Sequence, residues 1–141
     1  MFHVETVRIA ARPEAVWAVL VDVQGWRKWT ASVELVRRLD QAGEFGVRSQ
    51  VWVKQPSLLG AVWRVTGFEP ERSFVWESRS PGVLTVAGHR LEARDDGTLV
   101  TLELRQSGPL APVAGLFFGR LTRRYLAMEA AGLKAYCEAV R

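Results

Sequence analysis

The sequence predicts an α+β fold in which a curved, seven-stranded antiparallel sheet wraps around one long C-terminal helix, with two short helices between strands 1 and 2. Two observations lead to this prediction. From residue 32 to residue 107, segments that alternate apolar and polar residues follow one another with short turns, which is typical of antiparallel strands. From Pro112 onward the apolar residues recur every three or four positions, which is typical of an amphipathic helix.

The size and composition of the chain indicate one globular domain. Its 141 residues suffice for a hydrophobic core, and we expect residues 1–141 to form a single domain. No apolar run reaches the roughly 18 residues needed to cross a bilayer, and no secretory signal is recognised. Cys137 is the only cysteine, which excludes an internal disulfide and suits a reducing compartment, so we expect a cytoplasmic protein.

The net charge of +4 raises the question of nucleic-acid binding. The distribution of charge argues against it, because both signs are interspersed on the polar faces of the proposed strands, as on a solvated sheet. These residues are Arg48, Lys54, Glu77, Arg79, Arg90, Glu92, Glu103 and Arg105. The one local basic cluster consists of Arg120, Arg123 and Arg124, whose role the sequence does not define. We expect no nucleic-acid partner.

Strand 1 and the two short helices come first along the chain. The segment HVETVRIAA alternates and stops before Pro13, a residue that suits the first turn of a helix. Because strand ends fray, we expect His3 and Glu5 to be exposed. The segment PEAVWAVLVD then has helical spacing, and VQGWRKWT, interrupted by Gly25, predicts a second short helix or turn.

Six further strands are predicted by segments rich in Val, Trp, Phe and Thr. Their ranges are 32–40, 46–55, 62–70, 72–80, 84–95 and 98–107. Turn residues separate them (QAGEFG, QPSLLG, EPE, SPG and DDG), and the Asp-Gly step in ARDDGTLV is the strongest hairpin signal. Trp52 has the opposite parity to its neighbours Val51 and Val53, so we expect it at the rim of the sheet or under a loop.

The terminal helix is predicted over residues 112–141. Its apolar stripe comprises Leu121, Tyr125, Met128, Gly132 and Tyr136, widened by Leu126, Ala130 and Leu133. Gly115, Gly119 and Gly132 are poor helix formers, and we interpret them as positions of close approach or bending. A helix of this length, about 45 Å, is the one element long enough to cover the apolar face of the sheet. A strongly curved sheet around a single helix leaves a cavity between them.

Four segments carry a resemblance to a known family: IAARPEAVWAVLVDVQGWRKWTASV, WRVTGFEPERSFVWES, SPGVLTVAGHRLEA and RYLAMEAAGLKAYCE. In these segments the chain resembles the START-like (SRPBCC) superfamily with the helix-grip fold, and within it the polyketide cyclase/dehydrase-like group. The resemblance covers essentially the whole chain. The superfamily includes lipid and hormone binders, polyketide aromatases and cyclases, chaperone regulators and oxygenase domains, so the fold alone does not select a function.

Strand alternation and helical spacing predict which residues line the cavity and bind an apolar ligand. Trp26 and Trp29, three positions apart, are expected at its entrance. The expected ligand-binding residues are Trp26, Trp29, Trp63, Phe74, Trp76, Ser78, Thr85, Ala87, His89, Leu102, Leu121, Tyr125 and Met128. Two loops, 54–61 and 79–83, are expected to act as gates, with Leu58, Leu59, Pro81 and Gly82 at their tips.

No residue pair has a spacing that identifies a catalytic site. His89 is open to three interpretations: a core histidine bonded to a carbonyl, a ligand contact, or an acid or base. His89 and Tyr125 are the candidates for catalysis, and the resemblance to polyketide cyclases adds Ser78, Thr85, Arg120 and Glu129 as groups that polarise carbonyls. Two distant histidines and one cysteine give no metal-ligand spacing, and no phosphate loop or nucleophile elbow is present, so we expect neither metal nor cofactor.

Three functional hypotheses follow. The first is binding of a small hydrophobic ligand, a lipid or a polyketide-like molecule, in the cavity between sheet and helix. The second is a cofactor-free enzyme of the cyclase, aromatase or dehydratase type. The third is a protein-interaction module of the chaperone-regulator or toxin-like type. A homodimer through an edge strand is compatible with all three.

Overall fold

The computed structural model describes residues 1–40 and 43–139, and it confirms the predicted fold class. Its helical elements are α1 (Pro13–Val21), a 3₁₀ segment (Val23–Lys28) and α2 (Ala111–Ala139). Its strands are β1 (Phe2–Ile9), β2 (Leu35–Arg38), β3 (Gln50–Lys54), β4 (Ala61–Glu69), β5 (Ser73–Ser80), β6 (Val83–Arg94) and β7 (Gly97–Ser107). The strands form one antiparallel sheet in the order β1-β7-β6-β5-β4-β3-β2.

The element boundaries differ from the predicted ones mainly around β2 and β3. Both strands are shorter than predicted, because a hydrogen-bonded turn precedes β3: Ser49 N–H donates to the Gly46 carbonyl, and Arg48 has a φ of 78°. The helix predicted over 112–141 starts at Ala111. Its last two positions, 140 and 141, lie outside the described residues, as do positions 41 and 42 of the predicted QAGEFG turn.

The buried face of α2 is rotated by one residue from the centre of the predicted stripe. The buried side chains in the second half of the helix are those of Tyr125, Leu126, Ala130, Leu133 and Cys137. Gly132 lies where the helix passes the end of the 3₁₀ segment, and a Cβ atom there would fall 1.9 Å from the Trp29 carbonyl oxygen. The interpretation of Gly132 as a position of close approach is confirmed.

Two predictions of exposure have different outcomes. Trp52 is half-buried, and a Cβ atom at Gly60 would lie 2.5 Å from its indole, so the loop after β3 covers it as predicted. The prediction for His3 is wrong. Its side chain is only 7% exposed, because β1 lies beneath α2 and Arg123 reaches across to its ring.

The polar face of the sheet carries the interspersed charges that the sequence predicts. Arg90 lies within 4 Å of both Glu92 and Glu103, and Arg79 lies near Glu77. Exposed pairs of this kind contribute at most about 1 kcal/mol each. Among the described residues, no helix is both long and apolar enough to cross a membrane.

Candidate functional site

A cavity lined largely by aromatic and aliphatic side chains lies between the inner face of the sheet and the middle of α2. Its free volume is about 60 Å³. That is room for a few water molecules and well below the roughly 300–1,000 Å³ of ligand pockets in general. The lining residues are Trp26, Val33, Val53, Gln55, Trp63, Trp76, Ala87, Gly88, His89, Glu103, Leu104, Thr122, Tyr125, Leu126 and Glu129.

Three indoles form one wall of this cavity. The ring centroids of Trp26 and Trp76 are 5.3 Å apart, and those of Trp63 and Trp76 are 5.6 Å apart. Trp26 is fixed further by its Nε1–H, which donates to the Leu20 carbonyl at 2.9 Å. Because that donor is already satisfied, Trp26 presents an apolar surface to the cavity.

His89 brings a polar acceptor into this apolar wall. Its Nδ1 lies 3.1 Å from the carbonyl oxygen of Phe74, on the adjacent strand, and its ring stacks on the Phe74 ring at 4.0 Å. A carbonyl only accepts, so Nδ1 carries the proton and Nε2 of the neutral ring is an acceptor. Burial lowers the pKa of His89 to about 4, although the hydrogen bond to Phe74 opposes the shift. His89 is therefore uncharged at neutral pH.

Glu129 brings a carboxyl group to the same cavity from α2. It is only partly covered because it lines the cavity, yet enough protein surrounds it for desolvation to raise its pKa to about 8. No residue in the described part of the chain gives it a hydrogen bond or an ion pair. The other acidic residue of the lining, Glu103, lies 3.7 Å from Arg90 instead. At neutral pH Glu129 is mostly a protonated acid, so the cavity presents a neutral donor together with the neutral acceptor of His89.

Tyr125 closes the cavity at the loop that follows β3. Its hydroxyl donates to the carbonyl oxygen of Pro56, which joins α2 to the predicted gate loop 54–61. Neither leucine of this loop lines the cavity, and Leu59 is 92% exposed. Since its proton is already donated to the protein, Tyr125 is better placed to hold the loop than to transfer a proton.

Six of the residues predicted to bind ligand stand at the cavity wall. They are Trp26, Trp63, Trp76, Ala87, His89 and Tyr125. Phe74 and Leu102 are instead packed in the core behind the wall, at 0% and 2% exposure. Ser78 and Thr85 pair with each other towards the hairpin end of β5 and β6, and Thr85 accepts a hydrogen bond from Gln106.

The remaining predicted residues are displaced by the geometry of the helices. The rotation of α2 places Leu121 and Met128 at the margin of its buried face, and puts Thr122, Leu126 and Glu129 at the cavity. The Trp29 ring lies 5.2 Å from that of Trp26, tilted by 53°, but it faces a shallow surface groove with Tyr136. Its carbonyl is in contact with the helix at Gly132.

In the second loop, the predicted gate residue Gly82 has a role in the backbone conformation. Gly82 has a φ of 74°, and its carbonyl accepts a hydrogen bond from Leu110 N–H just before α2. Pro81 is exposed beside it. Neither residue lines the cavity. A gating role for Leu58, Leu59, Pro81 or Gly82 stays a prediction.

Comparisons with known proteins place this geometry in context. A family model described as "Polyketide cyclase / dehydrase and lipid transport" matches residues 1–138. A search of curated proteins finds no match. Among solved structures, a hypothetical protein of Helicobacter pylori has a TM-score of 0.84 at 16% identity, over 97% of this chain and 88% of that one.

Two similar structures are described as aromatase/cyclases. The protein Zhui from Streptomyces sp. R1128 has a TM-score of 0.79 at 20% identity, over 100% of this chain and 96% of that one. One di-domain protein, StfQ of the steffimycin biosynthetic pathway, has a TM-score of 0.79 at 10% identity, over 99% of this chain and 51% of that one. At such low identities the likeness concerns the fold.

Proposed function

Because the chain belongs to the polyketide cyclase/dehydrase and lipid transport family, we propose that it binds a compact apolar molecule carrying a carbonyl or hydroxyl group in the cavity beneath α2. The single observation that carries this proposal is the unpaired carboxyl group of Glu129 in an apolar cavity. A carboxyl group that is desolvated and has no protein partner is costly, and a ligand that accepts a hydrogen bond from it offsets that cost.

The small volume of the cavity defines how the ligand enters. About 60 Å³ does not hold a bicyclic molecule, so binding displaces part of the wall. The loop 54–61 is the segment to move, because the hydrogen bond from Tyr125 to Pro56 that joins it to α2 can break and re-form. This motion would give the loop the gating role that its exposed leucine predicts.

Tryptophan fluorescence tests the binding proposal directly, since three of the lining residues are indoles. We use 2-naphthol as a compact apolar probe with one hydroxyl group, together with a fatty acid and a sterol, and confirm stoichiometry by native mass spectrometry. Glu129→Leu should weaken binding of the best probe roughly tenfold, the loss of about one hydrogen bond. Glu69→Gln, which changes an exposed carboxylate at the end of β4, should not. Binding of no probe by the folded protein would overturn the proposal.

A second candidate function is catalysis of dehydration or cyclisation on the bound molecule. The observation that favours it is the high pKa of Glu129, since an acid with a pKa near the working pH is an efficient proton donor. In a dehydration, Glu129 would protonate the hydroxyl group as the C–O bond breaks and water leaves. The carboxylate would then take a proton from the adjacent carbon as the C=C bond forms.

The Glu129→Gln variant separates the two candidates. Glutamine keeps a donor and an acceptor but cannot transfer a proton, so a pure binding protein should keep its affinity. An enzyme should keep the affinity and lose turnover, detected by mass spectrometry as loss of water from a β-hydroxyketone. Its wild-type rate should fall as the pH rises through about 8, where Glu129 loses its proton. Turnover that persists in Glu129→Gln would exclude Glu129 as the acid.

A further inference from the structure

A second concave surface lies between the start of β1 and the first half of α2. This groove has a free volume of about 630 Å³, and none of its lining residues also lines the cavity of Glu129. Its floor includes the helix backbone at Gly115 and Gly119. A Cβ atom at either position would meet only the Met1 side chain, at 3.3 and 3.4 Å. The two glycines therefore make room for the Met1 side chain, which itself lines the groove.

His3 lines this groove and carries an unused hydrogen-bond donor. Arg123 Nε donates to His3 Nδ1 at 3.3 Å, so Nδ1 carries no proton. Burial, and then the charge of Arg123, lower the pKa of His3, which keeps the ring neutral and puts its proton on Nε2. Nε2 is buried and has no hydrogen-bond partner among the described residues. A donor in this state is satisfied only by an acceptor that enters from outside the described fold.

The charges around His3 are all positive. Arg120 and Arg123 line the groove with it, and no aspartate or glutamate does. The ion pairs found among residues 1–40 and 43–139 do not include Arg120 or Arg123. On the sheet, by contrast, Arg90 has two glutamates within 4 Å. The groove thus combines an orphan donor with two uncompensated guanidinium groups.

We infer that this groove binds a phosphate group, held by His3 Nε2–H and by the guanidinium groups of Arg120 and Arg123. Donors on three separate side chains suit a tetrahedral oxyanion, whose oxygens point in different directions, better than a planar carboxylate. The large open volume leaves room for whatever the phosphate is attached to. This site is independent of the ligand proposed for the cavity, so each proposal can fail alone.

Inorganic phosphate is the probe for the first test, titrated into the full chain at constant ionic strength. The readout is the ¹⁵N and ¹H NMR signals of the two histidine rings. Phosphate should shift the His3 signals with a saturable dependence and leave those of His89 unchanged. Sodium acetate at the same concentrations should not shift them. Unsaturable shifts, or equal shifts with acetate, would overturn the assignment.

Matched variants distinguish a built site from general attraction to a basic protein. Arg120→Gln should weaken phosphate binding roughly tenfold, because one charge-assisted contact is removed. Arg27→Gln removes the same charge from an exposed position on the 3₁₀ segment and should leave the affinity unchanged. His3→Gln tests the donor itself. Equal weakening by Arg120→Gln and Arg27→Gln would overturn the proposal.

A vesicle-binding experiment distinguishes a lipid headgroup from a soluble phosphate compound as the source of the phosphate. Leu116 lies one turn before Arg120 and is 81% exposed, so a lipid headgroup could bind with its chains beside the helix. Vesicles of phosphatidylcholine with added phosphatidic acid should sediment the protein if the phosphate belongs to a lipid, and Arg120→Gln should abolish this. Binding of inorganic phosphate without vesicle binding would support a soluble phosphate compound. Binding of neither would overturn the site.

Discussion

The pH dependence of folding stability is the sharpest test of the cavity. In the folded protein the pKa of Glu129 is raised from about 4.5 to about 8, and that of His89 is lowered from about 6.5 to about 4. The two shifts act in opposite directions. Stability that depends on protonated Glu129 is present at low pH and is lost as the pH rises towards 8. Stability that depends on neutral His89 is present above 6.5 and is lost as the pH falls towards 4.

The combination predicts a slight rise followed by a decline. Between about pH 4.5 and 6.5 the slopes of Glu129 and His89 oppose each other, each at about 1.4 kcal/mol per pH unit. The lowered pKa of His3 adds stability that rises with pH in the same window. Above 6.5 the His89 contribution is complete, and only the Glu129 contribution changes. From pH 6.5 to 8 the wild-type protein should therefore lose up to about 2 kcal/mol of its free energy of unfolding. Burial raises the pKa of Cys137 to about 11, so its effect begins only at higher pH.

Urea unfolding, followed by tryptophan fluorescence at pH 6.5 and 8.5, measures this decline. Glu129→Gln cannot ionise, so its free energy of unfolding should be the same at both values, whereas Glu69→Gln should follow the wild type. At pH 8.5 the Glu129→Gln variant should then be the more stable protein. Parallel behaviour of wild type and Glu129→Gln would show that the carboxyl group finds water or a partner, and would refute the reasoning about the cavity.

Three other contacts make further predictions. Gly132→Ala should lower Tm, with a loss of about 1–3 kcal/mol, because its Cβ would overlap the Trp29 carbonyl. Gly119→Ala should raise Tm, because alanine has a better helix propensity by about 1 kcal/mol and its Cβ meets only the flexible thioether of Met1. If calorimetry gives Tm shifts of the same sign for Gly132→Ala and Gly119→Ala, the packing described at these glycines is contradicted. Tyr125→Phe should cost about 1 kcal/mol and speed hydrogen exchange across the loop 54–61; unchanged exchange there would mean that the bond to Pro56 does not hold the loop.

The order of elements could be read from the sequence because each one has a strong local signal. Alternation over β4 to β7 predicts both the strands and their inward faces, and Val65, Trp76, His89 and Leu102 are all buried as their parity requires. The Asp-Gly signal predicts the β6–β7 hairpin, although Asp95 and Asp96 form its turn and Gly97 already begins β7. The signal is weakest at β2, where only four residues pair.

The composition of the cavity wall depends on distances that no local pattern contains. A helix turns by about 100° per residue, so an error of one position in the centre of its stripe exchanges Met128 for Glu129 at the cavity. Glu129 is among the candidates for polarising a carbonyl, but nothing in its spacing along the sequence shows that its carboxyl group lacks a partner. The burial of His3 likewise depends on Arg123, which is distant in the chain and reaches it only because β1 pairs beneath α2.

The strand order has a consequence for how the protein is made. Strands β2 to β7 pair with their neighbours in chain order, so this meander can grow as translation proceeds. β1 is different, since its one strand neighbour in the described sheet is β7, and α1 packs against α2. The segment that leaves the ribosome before the rest of the domain must remain unpaired until the last strand has emerged. Such pairing between chain ends slows folding and leaves an unpaired strand exposed to chaperones during synthesis.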